Sequence, residues 1–258
     1  MPADSLDQGS FELKEGETLD DLRLGGLKII QRQDGYRFSL DPVLLCAFAR
    51  VATDETVVDL GSGSGIIPLL LARRSETRNI VGVERQSAMV ARSRRSVKLN
   101  GLENRITIRE GDLRQVRNLL DAESAQVVVA NPPFRKADSG RLSPQSERAQ
   151  ARHEMAGDLA DFVAAAAYLL GTGGRCYLVY LAERLAELLA LLRQAGLEPK
   201  RLRCIHSRIG EAARMVLVES RRGGRGGMTI EAPLYVYDGE AYSAEVLSCY
   251  GEACVKGN

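Results

Sequence analysis

The run Asn131-Pro132-Pro133-Phe134, preceded by Gln-Val-Val-Val-Ala, gathers an amide side chain, a backbone carbonyl and an aromatic ring within four residues. Proline has no N–H to give to a strand ladder, so an apolar strand running through Val127–Ala130 must stop at Asn131. Open α/β sheets bind ligands at that C-terminal edge. The chemistry such a set suits is group transfer to an amino nitrogen whose lone pair is delocalised into a ring or a carbonyl. A strong base does not make that nitrogen nucleophilic. Two acceptors that hold both N–H bonds let it pyramidalise, and Asn131 Oδ1 and the Pro132 carbonyl can serve, since neither prolyl nitrogen competes as a donor. Phe134 can stack on a planar base, which must be unpaired or flipped out to reach it.

A second set lies upstream. Val58-Asp59-Leu60-Gly61-Ser62-Gly63-Ser64-Gly65 is a strand running into a Gly-x-Gly-x-Gly turn ahead of a helix. The glycines allow a ligand close to the backbone, and the helix N-terminus behind them offers free N–H groups. A glycine triplet alone also fits a dinucleotide site. Here Asp59 would repel phosphates but can meet an ammonium group, and Gly-x-Gly-x-Gly differs from the dinucleotide spacing Gly-x-Gly-x-x-Gly. Glu84 ends the next strand, 19 residues after Gly65, placed to accept both hydroxyls of a ribose. After the third strand, Asp112 can accept from an adenine amino group with Leu113 packing beside it, or can cap a helix. A nucleoside that carries an ammonium group suits this set.

The elements that must hold these residues alternate in type. Strands are expected at Val57–Leu60, Asn79–Glu84, Arg105–Arg109, Val127–Ala130 and Arg175–Tyr180. Helical patterns separate them: one to about Arg74, a basic amphipathic one over Gln86–Asn100, Leu159–Leu170 ended by Gly171, and Glu183–Gln194 stopped at Gly196. Alternation of this kind predicts an α/β fold with a doubly wound, mostly parallel sheet. Arg201–His206 and Met215–Glu219 have no full helix between them, so they are expected as an antiparallel pair at the far end, with a further segment at Pro233–Tyr237. Arg135–Arg152 and Arg221–Gly227 read as irregular and exposed.

With 258 residues, 45% of them hydrophobic and 27% charged, the chain is an ordinary soluble protein with enough length for a full core. Its five cysteines have no metal-like spacing, no metal site is apparent, and three cysteines fall in apolar runs, a pattern of reduced thiols. No stretch has the length of a membrane span or the form of a signal region, so a cytoplasmic location is expected. The net charge of +1 conceals segregation: residues 1–21 hold seven acids and one lysine, residues 73–117 hold twelve bases against five acids, and residues 193–225 nine against three. Such segregation can build a local positive face for a polyanion, or simply a solvated arginine-rich surface. Oligomeric state is not legible.

Asp59, the glycines, Glu84 and Asp112, in this order, resemble the class I S-adenosylmethionine-dependent methyltransferases, which implies a Rossmann-like seven-stranded sheet with an antiparallel C-terminal strand. Asn-Pro-Pro-aromatic resembles the motif of enzymes that methylate exocyclic amino groups of nucleobases or the side-chain amide of glutamine. Leu24–Gln31, Asp34–Asp41, Ala151-Arg152-His153-Glu154, Gly210–Glu219 and Pro233–Tyr237 extend the likeness to the bacterial tRNA (adenine-N6)-methyltransferases that modify the adenine beside the anticodon of valine tRNA. The likeness covers roughly residues 22–251. It implies a tRNA substrate, an N-terminal extension (residues 1–50) folding over the cofactor site of a methyltransferase domain (residues 51–258), and cofactor contacts from Tyr36, Phe38 and Asp41. A plain loop followed by a helix start at Asp41-Pro42 accounts for those three equally well.

Phe134 stands where many such enzymes have tyrosine, which keeps stacking and loses a hydroxyl. Asp138–Pro144 has no clear match and falls where a target-specific loop would lie. His153, between Arg152 and Glu154, reads as a loop anchor more readily than as a catalyst, and His206 ends a strand. Rival enzymes with the same motif methylate guanine N2 in rRNA or a glutamine of a translation release factor. The latter usually carry a helical domain ahead of the motif, and about 55 residues before Val57 leave little room for it. An RNA-binding scaffold without activity conflicts with an intact Asp59, Glu84, Asn131 and Phe134. A hydride-transfer enzyme would need a second substrate domain.

Overall fold

A computed structural model describes residues 12–34, 39–134 and 157–251. The elements begin with β1 (Glu17–Asp21), β2 (Lys28–Arg32), α1 (Asp41–Phe48), β3 (Thr56–Leu60), α2 (Ile66–Arg74) and β4 (Asn79–Glu84). They continue with α3 (Ser87–Leu99), β5 (Ile106–Glu110), a 3₁₀ turn at Leu113–Asn118, β6 (Ala125–Ala130), α4 (Leu159–Leu169) and β7 (Leu170–Leu181). A second 3₁₀ turn (Ala182–Arg184) leads into α5 (Leu185–Gln194), β8 (Leu197–His206) and β9 (Ala213–Arg222). Short strands β10 (Thr229–Ile230), β11 (Leu234–Tyr235), β12 (Tyr237–Asp238) and β13 (Ala241–Tyr242) precede α6 (Ala244–Cys249).

The main sheet runs β5-β4-β3-β6-β7-β9-β8, and β10 and β11 extend β8 to make nine strands. Strands β3 to β8 are parallel, whereas β9 lies antiparallel between β7 and β8. This is the expected doubly wound sheet with its antiparallel C-terminal strand. The central strands carry near-continuous apolar runs because both faces are covered. Val57, Val127 and Val129 face a core layer with α1, α2 and α3, while Val58, Val128, Ala130, Leu178 and Tyr180 face one with α4 and α5.

Local signals set the element ends. Asp158 and Asp161 form a reciprocal capping box that starts α4. Pro68 lies in the first turn of α2, where its missing N–H leaves no bond unmade. Other boundaries depart from the sequence pattern. Strand β7 begins at Leu170, directly behind α4, because Leu170 pairs with Ala125 of β6. Arg221 and Arg222 belong to β9, with Glu198 and Leu197 as partners, so only the glycine-rich end of Arg221–Gly227 is irregular. The N-terminal extension forms a β1–β2 hairpin clamped to α3: the Ile30 N–H donates to Ser96 Oγ at 3.0 Å, and the Asn100 amide exchanges bonds with the Lys28 backbone at 2.9 and 2.7 Å. Tyr36, Phe38, Asp138–Pro144 and His153 lie outside the described residues.

Candidate active site

Parallel register brings the two sequence motifs to one edge. Leu60 of β3 pairs with Ala130 of β6, so the residues that follow them, Gly61 and Asn131, leave adjacent strands side by side. Asn131 and Phe134 are half-buried and Pro132 is buried between them. The Phe134 ring meets Tyr180 of β7 edge-to-face, with centroids 5.9 Å apart.

On the cofactor side, the turn is fixed from behind. Both the Gly61 and Ser62 N–H groups donate to the Val83 carbonyl at 2.9 Å. Gly82 of β4 lets Ser62 sit this close, since a Cβ at residue 82 would come within 2.6 Å of Ser62 Oγ. That glycine carries a role the motif spacing did not disclose. Glu84 accepts from the Gly63 and Gln86 N–H groups, both at 2.8 Å, one on each carboxylate oxygen. Each oxygen keeps a further lone pair, so the carboxylate is aimed and still able to accept two hydroxyls.

Gly63 and Gly65 differ in what surrounds them. Both have positive φ, 56° and 82°. A Cβ on Gly63 would meet nothing nearer than the Gly61 carbonyl at 4.0 Å, whereas one on Gly65 would fall 2.0 Å from Ser93 Oγ. Gly65 is required by packing of α2 on α3, and Gly63 opens onto clear space.

Asp59 is fully buried, and among the described residues neither of its oxygens has a hydrogen-bond partner. Burial, with the nearby Glu84 charge adding to it and the Ser62 hydroxyl opposing, pushes its carboxyl up to about 7. An orphaned buried carboxylate costs stability and calls for a partner. An ammonium group supplies one, so the residues present fit the amino-acid end of S-adenosylmethionine.

The other candidates are placed less simply. Asp112 caps the 3₁₀ turn by accepting from the Arg114 N–H at 3.0 Å and pairs with the Arg114 guanidinium at 2.5 Å and with Arg85 at 3.6 Å. Those bonds and charges hold its carboxyl below the ordinary carboxylate range. Leu113 is buried beside it. Asp41 opens α1, accepts from the Ser39 hydroxyl at 2.8 Å, and has its carboxyl raised by burial. His206 Nδ1 lies 2.7 Å from the Glu211 carbonyl, which gives it a loop-holding contact.

Much of the segregated positive charge is used internally. Arg95 pairs with Glu17, Arg201 with Glu219 and Glu231, and Arg203 with Glu245, while Arg105 donates to the Ser75 and Thr77 carbonyls. Arg221 and Arg222 sit beside Glu198 and Leu197, at the sheet edge away from Asn131. A cavity of about 390 Å³ also opens at that far edge, between Thr56, Asn79, Arg117 and Ser124, and has no part in the site. Among the described residues no group of three His, Cys, Asp or Glu could hold a metal, and no helix is long and apolar enough to cross a membrane.

The fold and this edge define a class I S-adenosylmethionine-dependent methyltransferase. A family model for the methyltransferase small domain matches residues 41–194. The chain is 32% identical over 184 residues to a protein of Aeromonas salmonicida named tRNA1(Val) (adenine(37)-N6)-methyltransferase, covering 71% of this chain and 75% of that one. A protein of the same name from Porphyromonas gingivalis is 30% identical over 158 residues, 59% of this chain and 61% of the relative. Among solved structures, one described as a predicted O-methyltransferase from Agrobacterium tumefaciens superposes with a TM-score of 0.67 at 24% identity, over 82% of this chain and 95% of that one. M. jannaschii TYW2 in complex with AdoMet gives 0.56 at 17% identity, over 82% and 89%. The chain belongs to the methyltransferase small-domain family and, within it, to the family of the tRNA1(Val) (adenine(37)-N6)-methyltransferases.

Proposed function

We propose that this enzyme methylates the N6 amino group of an adenine in tRNA, at position 37 of valine tRNA, and does so in the cytoplasm. The observation that carries the reading is the register that sets Asn131-Pro132-Pro133-Phe134 beside the glycine turn, Ala130 against Leu60. Asp59, Glu84 and the Gly61–Gly65 turn would hold S-adenosylmethionine, with Asp112 and Leu113 at its adenine and Tyr36, Phe38 and Asp41 at its methionine end. When bound, the cofactor supplies an electrophilic methyl group on a sulfonium. Asn131 Oδ1 and the Pro132 carbonyl accept the two N–H bonds of the target amine and favour the charge that grows on nitrogen during transfer. Phe134 stacks on the flipped base and fixes its distance and angle, so orientation supplies much of the acceleration.

The test offers unmodified bulk tRNA, rRNA and a release factor in parallel with labelled cofactor, followed by digestion to nucleosides and mass analysis. N6-methyladenosine from tRNA alone is the expected product. Label in guanosine or in the release factor would keep the cofactor site and overturn the acceptor.

A further inference from the structure

Phe134 has an unusual mechanical problem. It follows two prolines, which donate no backbone hydrogen bonds, and it lies in no helix or strand. A sheet ladder therefore cannot fix the angle of its ring. Something else must, if the ring is to set the pose of a base.

Two contacts do this, one from the neighbouring strand β7 and one from the 3₁₀ turn that follows it. Tyr180 is the penultimate residue of β7, and only 1% of its surface is exposed. It stands on the face shared with Leu178, Val128 and Ala130, so its ring is set in the core rather than on a loop. The Phe134 ring packs against it at 67°, an edge-to-face arrangement that favours a particular orientation over mere burial. On the Tyr180 ring also lies the guanidinium of Arg184, 5.0 Å from the centroid. The same guanidinium points Nη1 at the Phe134 carbonyl, 3.4 Å away.

Arg184 is itself held. Its Nε and Nη2 form a two-pronged pair with Glu187, both bonds at 2.8 Å, one turn along α5. The Arg184 side chain is 17% exposed and that of Glu187 37%, so the guanidinium is sheltered while its partner faces solvent, and the hold comes from the two-pronged geometry. With Nε and Nη2 on Glu187, Nη1 towards Phe134 and its face on Tyr180, this guanidinium engages each of its three nitrogens with a protein group. It is arranged to hold a neighbour, which distinguishes it from an arginine presented to RNA phosphates.

We propose that Arg184, braced by Glu187 and laid on Tyr180, is a positioning residue that orients Phe134 for methyl transfer. The proposal rests on the reading of Phe134 as the base-stacking ring. Misplacing a substrate by about 1 Å can cost on the order of a hundredfold in rate, so loosening the ring should register in kcat. Arg184→Ala should lower kcat about tenfold at saturating tRNA and leave S-adenosylmethionine affinity and Tm little changed. Arg184→Lys, which keeps a cation near Tyr180 but loses the two-pronged bond, should recover part of the loss.

The deciding measurement is a double-mutant cycle with Phe134→Leu. If Arg184 acts through Phe134, then Arg184→Ala costs nothing further in the Phe134→Leu enzyme. Equal loss in both backgrounds would overturn the proposal. So would a raised KM for tRNA at unchanged kcat, which would make Arg184 an RNA contact, or a parallel fall in Tm, cofactor affinity and kcat, which would make it structural. A Phe134→Leu enzyme with unimpaired kcat would overturn the stacking reading itself, and the proposal with it.

Discussion

The Glu84 carboxylate accepts the Gly63 N–H at 2.8 Å and so ties the end of β4 to the turn that follows β3. One side chain thereby shapes the glycine turn and presents acceptors to whatever lies on it. Two substitutions separate these roles. Glu84→Gln keeps one acceptor oxygen and replaces the other with a donor that opposes a backbone N–H. Glu84→Ala removes both acceptors. Calorimetric titration should show S-adenosylmethionine affinity falling about tenfold or more in both. Thermal unfolding should show Glu84→Ala the less stable, since it strands the Gly63 and Gln86 N–H groups. Intact affinity in either variant would contradict a ribose contact.

Gly63 and Gly65 should fail differently when changed to alanine. Positive φ strains both, by about 1 kcal/mol. At residue 65 the added Cβ must also displace Ser93, from a distance of 2.0 Å, so Gly65→Ala should unfold at a clearly lower temperature. At residue 63 the Cβ enters open space. Gly63→Ala should therefore fold nearly as well as the wild type yet lose cofactor affinity, because the proposed site has the cofactor back onto the chain in the space it fills. A Gly63→Ala enzyme that binds S-adenosylmethionine normally would place the cofactor elsewhere.

Asp59 makes a prediction about pH. Its carboxyl is raised from 3.8 to about 7 in the folded chain, by burial first and then by Glu84. The neutral form favours the unliganded fold, so this contribution to stability is full below about pH 4 and is lost as pH rises through 7. At pH 8 unliganded Asp59→Asn should be more stable than the wild type, by on the order of 4 kcal/mol at about 1.4 kcal/mol per pKa unit. That gap should close by pH 4. Cofactor binding has the opposite sign, because an ammonium partner needs the carboxylate. Below pH 7 binding must expel a proton, so wild-type affinity should fall up to about tenfold per pH unit, with proton release seen by calorimetry in buffers of different ionisation enthalpy. A flat affinity between pH 5.5 and 8 would show that Asp59 does not meet the ammonium.

How much of this was legible beforehand follows from the range of each force. The stop at Pro132 and the glycine turn act locally, so sequence spacing sufficed to place Asn131 and Asp59 at one sheet edge. The β1–β2 hairpin was hidden because its register is secured from Ser96 and Asn100, some 70 residues away. The arginine-rich segments suggested a positive face, yet Arg95 meets Glu17 across 78 positions and Arg201 meets Glu231 across 30. Pairing at that distance leaves no pattern in a linear scan. Tyr180 and Arg184 were invisible for the same reason, since only the β6–β7 register brings them to Phe134.

The sharpest prediction concerns Asn131, whose half-buried amide stands one residue past the end of β6. If it holds the target amine as nitrogen pyramidalises, its effect belongs to the transition state and not to cofactor binding. Asn131→Ala should then lower kcat by about a hundredfold or more while S-adenosylmethionine affinity stays within twofold. Asn131→Asp keeps an acceptor but adds a charge near the sulfonium, so it should tighten cofactor binding and still turn over slowly. Phe134→Tyr should remain active, because the ring still stacks, and Phe134→Ala should not. Single-turnover kinetics with pre-bound tRNA separate chemistry from binding in each case. Equal loss of cofactor affinity and rate in Asn131→Ala would make this residue a structural end to β6, and the acceptor pair would have to be sought elsewhere on the same edge.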